Sequence, residues 1–182
     1  MNNRLKQACL KPQDLVVALK IAMLGAVVPT FARLSQDLCM SASEAYAAAK
    51  RGLASRLLEQ EAGALRANRL ALQEFVLHGL PYAFPATQGP VSRGMPTGAS
   101  APILSARFDQ AGSGQAQHLP WVWPDEQGEV RGITICPLYP NVPAACRSDP
   151  KLYDMLAALD ALRAGAARER EAARQEVMRM LA

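Results

Sequence analysis

Between Ser41 and Arg56 the chain gathers hydroxyls, a phenol, an amine and guanidinium groups at helical spacing. If Ala45, Ala48, Ala49 and Leu53 pack inward, then Ser43, Glu44, Tyr46, Ala47, Lys50 and Arg51 fall on the opposite, solvent-facing side. Short polar side chains at the start of such a helix suit hydrogen bonding to base edges. Lys50, Arg51 and Arg56 suit phosphate oxygens, and Arg66 and Arg69 extend the basic set downstream. Ser41-Ala42-Ser43-Glu44 fits the capping box, in which the serine takes the N3 amide and the glutamate reaches back, so the helix starts at Ser41. Ser41, Ser43, Glu44, Tyr46, Ala47, Lys50, Arg51, Arg56, Arg66 and Arg69 are therefore the candidate DNA-binding residues. The competing explanation is a solvated helix face in a protein-binding module. The charge distribution favours DNA.

The elements that must present this face are readable on both sides of it. Thr30 is placed to N-cap a short helix carrying Leu34 and Leu38, and Cys39-Met40 makes a brief connection to the second helix. Thr30–Leu58 thus reads as a helix-turn-helix pair. Upstream, Pro12 at a first helical position and Leu15, Val16, Leu19, Met23 and Leu24 predict a supporting helix that ends near Gly25. Downstream, the residues from Arg56 to Arg66 predict a short hairpin in the position of a wing. Its tip, Glu59-Gln60-Glu61, is acidic where a phosphate-touching wing would prefer Lys or Arg. A fourth helix is predicted from Asn68 to a C′ stop at Gly79.

The rest of the chain has a different character. Residues 81–150 hold eleven of the thirteen prolines, which predicts loops and short strands. Tyr82-Ala83-Phe84, Ile103-Leu104, Trp121-Val122-Trp123 and Gly132–Cys136 are the strand candidates, with Asp125–Gly128 as the turn between the last two and Ala111–Gly114 as a flexible tip. Asp149-Pro150 then restarts helix, with an apolar stripe of Leu152, Met155, Leu156, Leu159 and Leu162 up to Gly165. A further helical stretch runs from Ala166 to Ala182. The stripe packs on the strand region or, failing that, forms a dimer seam.

A chain of 182 residues, half of them apolar, can bury a real core. The net charge is +4, and its placement is uneven: Met1–Arg69 carries ten Lys/Arg against five Asp/Glu, while the remainder is close to neutral. Cysteines 9, 39, 136 and 146 form no CxxC pair, so no zinc site is expected. The opening residues do not follow the order of a signal peptide and no apolar run approaches a membrane span, so a cytoplasmic protein with free thiols and no membrane partner is expected. Cys39 reads as a small buried apolar residue rather than a redox sensor. Asp125 with Glu129-Val130-Arg131 is similar to a metal-nuclease pattern, but the spacing is too short and arginine replaces lysine. His78 and His118 have no carboxylate at a useful spacing for general-base work. No catalytic group, cofactor or metal is therefore expected. Trp121, Trp123, Tyr82, Phe84 and Tyr139 form a small core or line a pocket. The pairs Arg93-Gly94 and Arg131-Gly132 are exposed turns or meet an anion. Arg93, Trp121, Trp123 and Arg131 are the candidate effector or partner surface.

The sequence Thr30-Phe31, Leu34-Ser35-Gln36-Asp37-Leu38, Met40–Glu44 and Ala48-Ala49-Lys50-Arg51 resembles bacterial winged helix-turn-helix regulators of the MarR-like kind over about the first seventy residues. It departs at Cys39, where the family often has glycine, and at Gly52, where a core leucine is usual. The resemblance implies that the second helix enters the major groove and the hairpin touches the adjacent backbone. The order of a winged module followed by a small mixed domain is similar to antitoxin-type repressors of the abortive-infection class.

The expected architecture is α+β: a winged helix-turn-helix over residues 1–69, then a strand-containing dimerisation, effector or partner domain over 70–182 closed by C-terminal helices. The expected function is a transcriptional regulator, in the sense of a repressor, acting as a homodimer on palindromic double-stranded DNA. The alternative is a protein-interaction module, such as an antitoxin or defence-system component, whose second half binds a partner protein.

Overall fold

Pro12 opens α1 (Pro12–Leu24), where the Asp14 carboxylate accepts the Lys11 backbone N–H at 2.8 Å. The helix ends at Gly25, as its sequence predicts. The computed structural model describes residues 9–109 and 119–182, so the predicted Ala111–Gly114 tip and His118 lie outside the described residues. Every residue of α1 from Asp14 to Ala22 is buried, so this helix is a central post rather than a surface element. Thr30 accepts the Arg33 N–H at 3.1 Å and caps α2 (Phe31–Asp37). The Ser41–Glu44 box forms as predicted, with Glu44 N–H donating to Ser41 Oγ at 3.1 Å and Ser41 N–H to Glu44 Oε2 at 3.3 Å, and starts α3 (Ala42–Ala54).

A hairpin follows, β1 (Leu58–Glu61) against β2 (Ala64–Ala67), pairing Leu58 with Ala67 and Glu61 with Ala64. Ala62 and Gly63 both take positive φ, +48° and +82°, the two-residue turn whose twist matches that of antiparallel strands. Asn68 Oδ1 accepts the Ala71 N–H and caps α4 (Arg69–Glu74). Here the structure departs from the predicted stop at Gly79. The chain passes through a π turn (Phe75–Gly79) into α5 (Leu80–Ala83), with Gly79 at an ordinary right-handed φ of −103°. Tyr82 and Ala83 are thus helical, not strand, and Phe84 ends the helix with its ring edge-on to Phe75 at 6.0 Å.

The proline-rich segment forms β3 (Gln88–Pro96), a 3-10 turn (Gly98–Ser100) and α6 (Pro102–Asp109), so Ile103 and Leu104 are also helical. A two-residue apolar pair has no periodicity to distinguish strand from helix. β4 (Trp121–Pro124) and β5 (Val130–Ile135) follow where strands are predicted. β3 pairs antiparallel with both, while β4 and β5 pair in parallel, Trp121 beside Ile133. Asp125–Gly128 joins them, but not as a hairpin. The closed three-stranded ring is very narrow: a Cβ on Gly94 would run into the Trp123 carbonyl oxygen, and one on Gly132 into the Pro120 carbonyl oxygen. The fully buried Val122 fills what space remains beside those two glycines.

α7 (Val142–Ser148), α8 (Pro150–Ala164) and α9 (Ala167–Leu181) complete the chain, with Asp149 capping α8 through the Leu152 N–H as predicted. The apolar stripe of α8 is core. Over the described residues the protein is mixed α+β with two small sheets and C-terminal helices. One apolar cluster runs without a break from Leu15 in α1 to Leu181 in α9, so the core does not divide at the 69/70 boundary drawn from sequence.

Candidate nucleic-acid interface

Two features set the angle between α2 and α3. Cys39 adopts φ +50°, the left-handed region that glycine enters more easily, and the Met40 N–H donates to the Ser35 carbonyl at 3.0 Å. From the far half of the chain, Tyr139 donates its hydroxyl to the Leu38 carbonyl at 2.6 Å and Asn141 donates its amide to the Cys39 carbonyl at 2.6 Å. The connection between the two helices is therefore gripped by the segment that leads into α7. Cys39 is exposed, not the buried apolar residue the sequence suggests.

On α3, Ala45, Ala48, Ala49 and Gly52 face the core, as small residues at those positions should. Gly52 is explained by its neighbour: a Cβ there would stand 2.8 Å from Leu58 Cδ1. Leu58 of the hairpin occupies the space that a helix leucine would otherwise fill. Ser41, Ser43, Glu44, Tyr46 and Lys50 are exposed and Ala47 is half-buried, so these candidates share one outward face. Tyr46 is 48% exposed, its ring edge-on to Phe31 at 5.2 Å, and the Lys50 ammonium lies 5.3 Å from the ring centroid. The phenol is thereby held upright between an aromatic edge and a cation. Arg56 is also exposed and takes φ +61° at the exit of α3, closing the helix through its N–H to the Leu53 carbonyl.

The remaining basic candidates have structural partners. Arg51 donates from Nε and Nη2 to the fully buried Asp14 carboxylate at 2.7 and 2.6 Å, which ties α3 to α1. The Asp14 side chain raises the Arg51 pKa above its ordinary value, against the pull of burial. Arg66 donates to the Gly25 and Ala26 carbonyls. Arg69 spans the ends of two helices, reaching the Ala22 carbonyl of α1 and the Leu181 and Ala182 carbonyls at the C-terminal end of α9. A guanidinium there satisfies terminal carbonyls and complements both helix dipoles. The sequence assigned Arg51, Arg66 and Arg69 to phosphate; in the fold their guanidiniums are occupied within the protein.

Beside this face, Lys20 of α1 is buried and donates to Asp149 at 2.8 Å, with Asp37 of α2 3.1 Å away. Burial pulls the Lys20 pKa down, but its pairing with the Asp149 and Asp37 carboxylates outweighs it and leaves the amine above the usual lysine value. Burial likewise pushes Asp37 up, and Lys20 and Arg33 together hold it below the usual aspartate value. Lys20 was not singled out from sequence. A lone lysine in an apolar run was the only available signal.

The second candidate surface separates into two parts. Trp123 is 1% exposed and donates Nε1–H to Asp160 at 2.6 Å, so it is core and not surface. Asp160, fully buried, also receives Thr97 and Arg163. Burial pushes its pKa up against those three contacts. Arg163 further donates to the Phe84, Pro85 and Cys136 carbonyls, joining α5, the ring and α8. Arg93 and Arg131, by contrast, are exposed and stand directly opposite one another across β3 and β5, with half-buried Trp121 next to Ile133 on β4. Neither arginine has an ion-pair partner among the described residues, an arrangement that is destabilising unless an anion neutralises it. Asp125, weighed as part of a nuclease pattern, is ion-paired with Arg147.

Among the described residues no helix is long and apolar enough to cross a membrane. Comparison with protein-family models, with curated proteins and with solved structures gives no match.

Proposed function

We propose that this chain is a winged helix-turn-helix DNA-binding protein acting as a dimeric transcriptional regulator, a repressor of the MarR-like kind. The observation that carries the reading is the outward face of α3, where Ser43, Tyr46, Ala47 and Lys50 stand clear of the core with Arg56 beyond them. It belongs to residues 1–69, the segment that holds all the excess positive charge. In this reading the first turns of α3 meet base edges in the major groove, and Lys50 and Arg56 meet phosphates. Arg51 acts as a positioning residue, holding α3 on α1 through Asp14. The hairpin, with its acidic Glu59 and Glu61 and with Arg66 taken up by the Gly25 and Ala26 carbonyls, is not part of the docking face.

Few base-reading side chains are available in one copy, so specificity calls for two copies on half-sites about 34 Å apart. Gel-shift binding to DNA from upstream of the gene, at two salt concentrations, tests the reading. Binding that weakens steeply with salt supports it, and no binding at low salt refutes it.

A second reading, a protein-interaction module of the antitoxin type, is favoured by one feature. The opposed Arg93 and Arg131 are left for an acidic partner to neutralise. Co-purification of a stoichiometric protein, lost in an Arg93→Ala, Arg131→Ala variant, is its signature.

A further inference from the structure

The π turn at Phe75–Gly79 packs Phe75 on Phe84, and extra-residue turns of this kind occur often at functional sites. It borders a groove of about 570 Å³ between α5 and α9, a size suited to a small organic ligand. Leu77, Pro81 and Leu162 supply the apolar part of its lining. Its rim is rich in donors: His78 from the π turn, Tyr82 from α5, and Arg170 and Arg174 one helical turn apart on α9. Tyr82 is 85% exposed and makes no aromatic contact among the described residues.

The charges set the class of ligand. Arg163 also borders the groove, but its guanidinium is taken up by Asp160 and three carbonyls. Arg170 uses one nitrogen on the Gly165 carbonyl, which leaves the rest of its fork available. Arg174 has only a distant pairing to Glu171, at 3.8 Å. Two adjacent guanidiniums against one carboxylate, with a phenol and an imidazole at the same rim, supply more donors than a two-oxygen carboxylate can accept. A phosphoryl group with three terminal oxygens matches that surplus, and the apolar lining residues and the Tyr82 ring match an organic, planar body.

We propose that this groove binds a small soluble phosphomonoester with an aromatic or heterocyclic moiety, its phosphate on Arg170 and Arg174 and its ring against Tyr82. The site is independent of the DNA reading and stands or falls without it.

Phenyl phosphate is the probe, with inorganic phosphate and phenol as its two halves, titrated calorimetrically into the full chain. Phenyl phosphate should bind roughly tenfold tighter than either half. Arg174→Gln should weaken it by about tenfold, as loss of a charge-assisted contact does. Tyr82→Ala should weaken phenyl phosphate more than inorganic phosphate, removing roughly fivefold of the preference between them. Both side chains lie at the rim, and matching thermal melts establish that each variant is folded. Binding of phenyl phosphate no tighter than inorganic phosphate overturns the proposal. So does affinity indifferent to both substitutions.

Discussion

Arg51 and Asp14 form a two-pronged ion pair, Nε and Nη2 on the two carboxylate oxygens at 2.7 and 2.6 Å, with the carboxylate fully buried. An arginine grouped with Lys50 and Arg56 as a phosphate contact in the sequence is thus a tie between α3 and α1. Removing it would strand a buried charge. Arg51→Ala should lower unfolding free energy by about 3 kcal/mol in urea denaturation. A loss under about 0.5 kcal/mol, typical of surface positions, would contradict this assignment.

Tyr139 and Leu38 meet across a hundred residues of chain, and their hydrogen bond is buried. Tyr139→Phe leaves the Leu38 carbonyl without its donor and should cost about 1 kcal/mol. Because the contact bears on the α2–α3 connection, amide exchange at Cys39 and Met40 should accelerate more than exchange in α8. Uniform acceleration throughout would mean that the contact does not act locally.

Ser41 carries the capping of α3 from both sides of the box. Ser41→Ala should destabilise the protein by about 1 kcal/mol, and Ser41→Asp, which keeps an acceptor, should restore most of it. Equal losses in the two variants would show that the cap contributes nothing.

The Lys20, Asp37 and Asp149 cluster gives stability a defined pH dependence. Asp37 is held below its ordinary value of 3.8, so its contribution is full above that value and fades as pH falls through the lower folded value. Lys20 is raised above 10.5, so its contribution is full below that pH and fades as pH rises through the higher folded value. Chemical denaturation across pH should therefore show Asp37→Asn losing less stability than wild type on acidification below pH ~4. Parallel acid limbs for the two proteins would remove Asp37 from the account.

The sequence's legibility differed between the halves for physical reasons. Thr30, Ser41, Pro12 and Asp149 act through local hydrogen bonds or a fixed φ, so the starts of α1, α2, α3 and α8 were readable from neighbours in the chain. β3 was not, because Gln88–Pro96 has no alternation of apolar and polar residues: it is paired on both edges in a ring whose interior admits only glycine at Gly94. α7 hid behind Pro143, and the continuation of α4 past Gly79 depends on a π turn that no local residue announces. At the candidate interface, the outward positions of Tyr46 and Lys50 followed from helical spacing. The occupation of Arg51, Arg66 and Arg69 did not, since their partners lie at Asp14, Gly25, Ala26 and in the last residues of the chain.

In the proposed complex, α3 docks on DNA through Lys50 and Arg56. The most direct test is the salt dependence of binding, by fluorescence anisotropy on labelled duplex, for wild type and for Lys50→Ala, Arg56→Ala. Both side chains are exposed, so the variant should fold normally. The account predicts weaker binding to every duplex and a log–log salt slope shallower by about 2, for two lost phosphate contacts. Wild-type affinity and slope in the folded variant would contradict it.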